Sequence, residues 1–132
     1  MREIKFKYIF KGLPFSSADA GFNWHVKIFT LDRIEAGVIC LSNLYHLGEL
    51  VAKLQFTGLT DANLVEIYEG DIVSDHNGVG VVKYSDKRAA YRVVYGDGTA
   101  KWFMDYNLRG ERESIKVIGN IHMDFGILNK NQ

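Results

Sequence analysis

Apolar residues occupy every second position through much of this chain, and few structures accommodate that period. Near the start, Ile4, Phe6, Tyr8 and Phe10 alternate with Lys5 and Lys7. A side chain that returns to the same side every two residues belongs to a strand, with one face on a core and the other in water. Phe22, Trp24, Val26 and Ile28 repeat the pattern with Asn23, His25 and Lys27 between them. The spacing predicts strands over 2–10 and 22–28, paired as a hairpin. Gly12, the only proline, Pro14, and the small polar run from Ser16 to Gly21 make the loop between them.

Thr30 suits the N-cap of a short helix reaching Ala36, since its hydroxyl can accept an orphan amide of the first turn. Gly37 then suits the left-handed end of that helix. Val38 to Leu41 is apolar and β-prone, and Ser42-Asn43 suits a turn. Leu44, Leu47, Leu50 and Val51 fit a helical stripe, whereas Leu50, Ala52, Leu54 and Phe56 fit a strand; a strand from about Leu50 is expected. Gly58, Asp61 and Asn63 make Thr57 to Asn63 a turn-forming cluster and the expected boundary between two lobes.

Beyond it the β pattern becomes dense. Ile72-Val73, Val79 to Tyr84, Tyr91 to Tyr95, Thr99 to Phe103 and Ile115 to Ile121 are short β-rich segments. They are separated by turn residues at His76-Asn77-Gly78, Ser85-Asp86-Lys87 and Gly96-Asp97-Gly98. Asp97-Gly98 between two β runs is a strong hairpin signal, because a primed turn needs positive φ. Short strands joined by tight hairpins point to a small SH3-like barrel. The expectation is a mostly β protein: an N-terminal hairpin or sheet lobe with a short helix, residues 1–60, packed on a C-terminal SH3-like barrel lobe, residues 61–132. Asn129 to Gln132 reads as a frayed tail.

A length of 132 residues suits one core of moderate size. Sixteen basic residues balance sixteen acidic ones, so no long-range field draws the chain toward nucleic acid or an anionic membrane, and such binding would need a local patch. The single cysteine, Cys40, lies among Val38, Ile39 and Leu41 and reads as a buried, unreactive thiol in a reducing compartment. No run resembles a signal peptide or approaches the roughly 20 apolar residues of a membrane span, so a cytoplasmic protein is expected.

Few residues suggest chemistry. Glu66, Glu69 and Asp71 cluster as carboxylates do around hard cations or in acid–base pairs. Their spacing fits a structural bend better, with Gly70 permitting a tight turn and Asp71 accepting backbone amides beside Glu69. His25, His46, His76 and His122 are scattered, with no metal-ligand spacing. Ser42 and Ser85-Asp86 lack a nucleophile-elbow context. Gly78-Val79-Gly80 opens a strand instead of the helix that a dinucleotide fingerprint requires. No catalytic, cofactor or metal site is expected. The one suggestive set is cationic and aromatic: Lys83, Arg88, Arg92, Lys101, Trp102 and Tyr106, with Tyr84, Lys87 and Tyr91 among them. Such side chains stack on bases or clasp peptides when exposed, and otherwise pack a small core.

The run from Leu54 to Asp61, followed by Glu66 to Val73, resembles the central signature of the YopX family. The opening Met1-Arg2-Glu3-Ile4-Lys5-Phe6 and the closing Val117-Ile118-Gly119-Asn120-Ile121-His122 resemble its ends. The resemblance implies a phage or prophage origin and a β-rich fold, with no enzyme attached. Two positions depart from the pattern. The family turn usually reads Asp-Lys-Asn-Gly, and here it is Asp61-Ala62-Asn63-Leu64, so a left-handed backbone is expected to fall on Asn63. A tryptophan often follows the opening block, where this chain has Tyr8-Ile9-Phe10. The expected role is a non-enzymatic accessory module of a phage or prophage that binds a protein partner or its own copies as a homo-oligomer. A nucleic-acid-binding module is the alternative.

Overall fold

The structure, a computed structural model, describes residues 3–12, 23–37, 47–76, 78–103 and 115–123. The expected loop over 13–22, the strand and turn over 38–43, Cys40, His46, Asn77, Tyr106 and the tail lie outside them. The chain divides into two compact units, Met1–Gln55 and Phe56–Gln132. Among the described residues the secondary structure is two antiparallel sheets and one short helix, so the protein is mostly β.

In the first unit β1 (Lys5–Gly12) and β2 (Asn23–Thr30) form the expected hairpin, with Phe6 opposite Phe29 and Phe10 opposite His25. Helix α1 (Leu31–Glu35) follows directly. Thr30 caps it by accepting the Arg33 amide at 3.4 Å, and Gly37 beyond it has φ +73. Strand β3 (Glu49–Thr60) pairs with β1 from Glu49 to Gln55, with a register shift between Ile9 and Phe10. Tyr8, Phe10 and Leu47 form the buried centre, with Phe6, Phe29 and Ile34 packed on it. Tyr8 meets the edge of Phe29 at 5.3 Å between ring centroids.

The simple alternation misjudged positions on both strands. In β2, Val26 and Ile28, expected on the core face, are exposed, and Phe29, opposite Phe6, packs on the core instead. Near and in β1, Ile4, expected inside, is exposed, whereas Ile9, on the opposite face from Tyr8 and Phe10, is fully buried. At the centre of β1 three successive residues, Tyr8, Ile9 and Phe10, are buried, so neither face is in water there.

The cluster over Thr57 to Asn63 also behaves differently from expectation. β3 continues through Thr60 and pairs with β4 (Glu66–Tyr68), a strand too short to stand out in the sequence. Gly58, at φ +90, sits where the register shifts between Phe56 and Thr60, so it makes a bulge and not a turn. The buried Thr57 hydroxyl stitches that bulge, donating to the Ile67 carbonyl at 2.8 Å and accepting the Leu59 amide at 3.2 Å. The chain reverses only at Asp61.

The second unit carries β5 (Asp71–Asp75), β6 (Gly78–Ser85), β7 (Ala90–Tyr95), β8 (Ala100–Trp102) and β9 (Lys116–Asn120). Their order is β8-β7-β6-β5-β9, a meander whose last strand returns beside the first. β8 and β9 form its two ends, and no ladder joins them among the described residues, so the expected closed barrel is not found. The sheet buries Ile67, Val73, Val82, Val93, Phe103 and Ile115, with Leu59, Tyr91, Tyr95 and Val117 against them. Each such aliphatic side chain contributes roughly 1.5–3 kcal/mol on burial. Packing is tight at Gly80, where a methyl group would lie 2.5 Å from Val93 Cγ1 and 2.9 Å from the Val94 carbonyl.

Candidate functional site

Register decides which of the cationic and aromatic residues meet. Directly opposed residues of an antiparallel pair share a face. Val82 opposes Val93, and both enter the core. One residue along, Lys83 opposes Arg92, and Arg92 opposes Trp102, so these three start from the other face. Lys101 opposes Val93 and starts from the core face. Tyr91 packs on the core, and its ring meets that of Tyr84 edge-on at 5.1 Å. The sheet thus brings Lys83, Arg92 and Trp102 together, separates Lys101 from them, and uses Tyr91 for packing. Tyr106 lies outside the described residues.

Around this group the β6–β7 turn makes a cleft of about 540 Å³, lined by Tyr84, Ser85, Asp86, Lys87, Arg88, Arg92 and Trp102. The turn is tight: the Arg88 amide donates to the Ser85 hydroxyl at 3.4 Å, and Ala89 takes φ +50. In the sequence Ser85 and Asp86 read as turn residues, and nothing in their spacing marks them as cleft walls. In the lining, Lys87, Arg88 and Arg92 stand against one carboxylate, Asp86. The Arg92 guanidinium lies 5.4 Å from the centre of the Trp102 ring, a cation–π contact. Its Nε is buried with no hydrogen-bond partner. This arrangement suits an anionic group, held by charge and by the flat donor edge of arginine.

The acidic segment serves the backbone. Gly70 has φ +86, its amide donates to the Val82 carbonyl, and its carbonyl accepts the Ile121 amide. Asp71 is buried; one carboxylate oxygen accepts the Tyr68 amide at 2.8 Å and the other the Asn120 side-chain amide at 3.2 Å. Glu69 between them is half-buried, and Glu66 accepts the Tyr68 hydroxyl at 3.1 Å. Among the described residues, no three His, Cys, Asp or Glu side chains gather as a metal-binding group. His25, His76 and His122 lie on separate segments.

Asp61 organises the turn it begins through its side chain. Its buried carboxylate accepts the amides of Asn63 at 2.8 Å and Val65 at 2.9 Å through one oxygen, and that of Val117 at 2.9 Å through the other. Burial pushes its pKa up, but those three amides and the nearby Lys116 charge outweigh it and hold the carboxyl below its ordinary value. A turn organised in this way lies in the segment that carries the sequence signature. The family model described as YopX protein matches residues 21–129. The chain belongs to the YopX family. No curated protein sequence matches it. The central and closing blocks of the YopX signature fall within the matched residues, and the opening block precedes them.

The YopX turn corrects one expectation. Where the family pattern has glycine, Leu64 itself takes the left-handed conformation, with φ +64, and Asn63 does not. The Leu64 amide donates to the Asp61 carbonyl and the Asp61 amide to the Val65 carbonyl, which fixes the position of the left-handed residue. The Leu64 side chain is 81% exposed, so no burial compensates the strain. Among the described residues, no helix is long and apolar enough to cross a membrane.

Proposed function

We propose that this YopX protein is a non-catalytic binding module of phage or prophage origin. In this reading it acts in the host cytoplasm and docks a protein partner on the cationic face of β6, β7 and β8. The observation that carries it is the cleft in which Arg92 lies over Trp102 beside Lys87 and Arg88. Interfaces favour arginine and tryptophan at their centres, since both offer a broad flat surface with directional donors. A chain without net charge has no long-range attraction for a polyanion, which favours a protein partner recognised locally. We take the five-stranded meander as an open relative of an SH3-like barrel, a scaffold that presents such faces from rigid strands.

Pull-down from infected host cells with the wild type and with an Arg88→Glu, Arg92→Glu double variant tests this. A partner held by the wild type and lost by the variant is expected; equal capture by both would sink the role given to this face. Self-association is read by light scattering over a concentration series, a mass above that of the monomer being the positive result.

Nucleic acid is the second reading, favoured by the half-exposed Trp102 beside basic side chains. A mobility shift with single-stranded DNA that vanishes as salt rises supports it. Absence of a shift at low salt removes it.

A further inference from the structure

Cations outnumber the single carboxylate of this cleft, Asp86, and one of them has an unmet hydrogen bond. Lys83 and Arg92 are direct cross-strand neighbours, a pairing of like charges that is unfavourable unless an anion lies between or beside them. Neither forms an ion pair among the described residues, and Lys87 and Arg88 form none either. The Arg92 Nε is a buried donor with no acceptor, an unfavourable state that an entering acceptor relieves once the guanidinium turns that edge toward it. Trp102 beneath it limits how the guanidinium plane can lie.

We infer that Arg92 is the anchor of a carboxylate subsite, and that the partner element it takes is a short acidic segment of a protein, an Asp or Glu side chain seated beside Trp102. This deepens the protein-binding function proposed above and rests on it. Carboxylate is favoured over the phosphates of a nucleic acid by three features. A guanidinium edge and a carboxylate are both planar and pair through two parallel hydrogen bonds, so an arginine held over a tryptophan ring is already half-organised for that ligand. The cleft, at about 540 Å³, holds one or two side chains. Asp86 on its wall opposes an extended polyanion while tolerating a single carboxylate beside Lys87 and Arg88.

The experiment uses the full chain labelled with nitrogen-15, titrated separately with the peptide acetyl-Glu-Glu-Glu-amide, its glutamine counterpart, and a deoxythymidine oligomer. The Arg92 side-chain Nε–H and the Trp102 indole N–H signals report on the subsite. The glutamate peptide is expected to shift both signals saturably, and the glutamine peptide neither. Arg92→Lys keeps the charge and removes the planar fork, and is expected to weaken binding on the order of tenfold. Retention of the Val82 and Val93 methyl signals shows that this variant is folded. Equal affinity in Arg92→Lys overturns the planar anchor while leaving a cationic docking face in place. Shifts only at distant backbone signals overturn the subsite itself. A response to the deoxythymidine oligomer alone overturns the carboxylate and gives the face to nucleic acid. No response to any probe overturns both the subsite and the binding face.

Discussion

Two turns of the second unit begin with aspartate, and they use the same chemistry to different ends. At Asp97 one carboxylate oxygen accepts the Thr99 amide at 3.0 Å and the Thr99 hydroxyl at 2.6 Å, both two residues away. The following Gly98 takes φ +89 without a steric penalty. At Asp61 the first oxygen repeats this local pattern, but the second reaches the Val117 amide in another strand, and the left-handed residue is Leu64. A left-handed leucine costs about 1–2 kcal/mol, which glycine avoids. The exposed turn is thus self-contained and unstrained, while the buried one accepts strain and offsets it with three charge-assisted bonds.

Substitutions can break or sharpen that contrast. The largest effect is expected for Asp61→Ala, which strands three amides and should destabilise the protein by about 3 kcal/mol in chemical denaturation. Acid should act through the same group. Its folded pKa lies below its unfolded value near 3.8, so its contribution is fully present above that value and is lost as pH falls through the lower folded one. Stability measured from neutral pH down to about pH 2 should decline less steeply in Asp61→Asn; an unchanged slope would mean that other carboxylates dominate. Gly98→Ala meets open space yet must hold positive φ, and should cost about 1 kcal/mol. Leu64→Gly should do the opposite and stabilise by about 0.5 kcal/mol, the relieved strain exceeding the added chain entropy. Asp97→Ala should move the melting temperature least of all, since the carboxylate is fully exposed and its bonds, with the Thr99 hydroxyl foremost, stay within the turn.

Much of the strand layout was legible because period-two runs in this chain are bounded by Gly, Asn and Asp. The β1–β2 hairpin, the Thr30 cap and the strands from Asp71 to Trp102 follow directly from that pattern. Three features were not legible, for physical reasons. Ile9 is buried although its neighbours Tyr8 and Phe10 on the opposite face are buried too, and sequence period cannot distinguish a strand with two dry faces from one with a wet face. Gly58 bends a strand instead of ending it, since positive φ serves a bulge as readily as a turn. Closure of the last sheet depends on whether distant edges meet, which local residues do not encode. For the candidate site, composition nominated residues of β6, β7 and β8, but only register divides Lys83, Arg92 and Trp102 from Lys101. The cation–π contacts of Lys53 with Phe6 and Tyr8 in the first unit show why composition alone falls short: the same residue types also serve ordinary packing.

The bond from the Val117 amide to Asp61 spans 56 residues of chain, and the Ala62 amide likewise reaches the Ile115 carbonyl. On a ribosome, strands β4 to β8 emerge before that amide exists, and their organising carboxylate waits without its third donor. Native stability in this unit therefore arrives late in synthesis, when β9 clears the exit tunnel and closes the long loop. Nascent chains arrested before Val117 should remain protease-sensitive across the hairpins, and chains released beyond Asn120 should become resistant together.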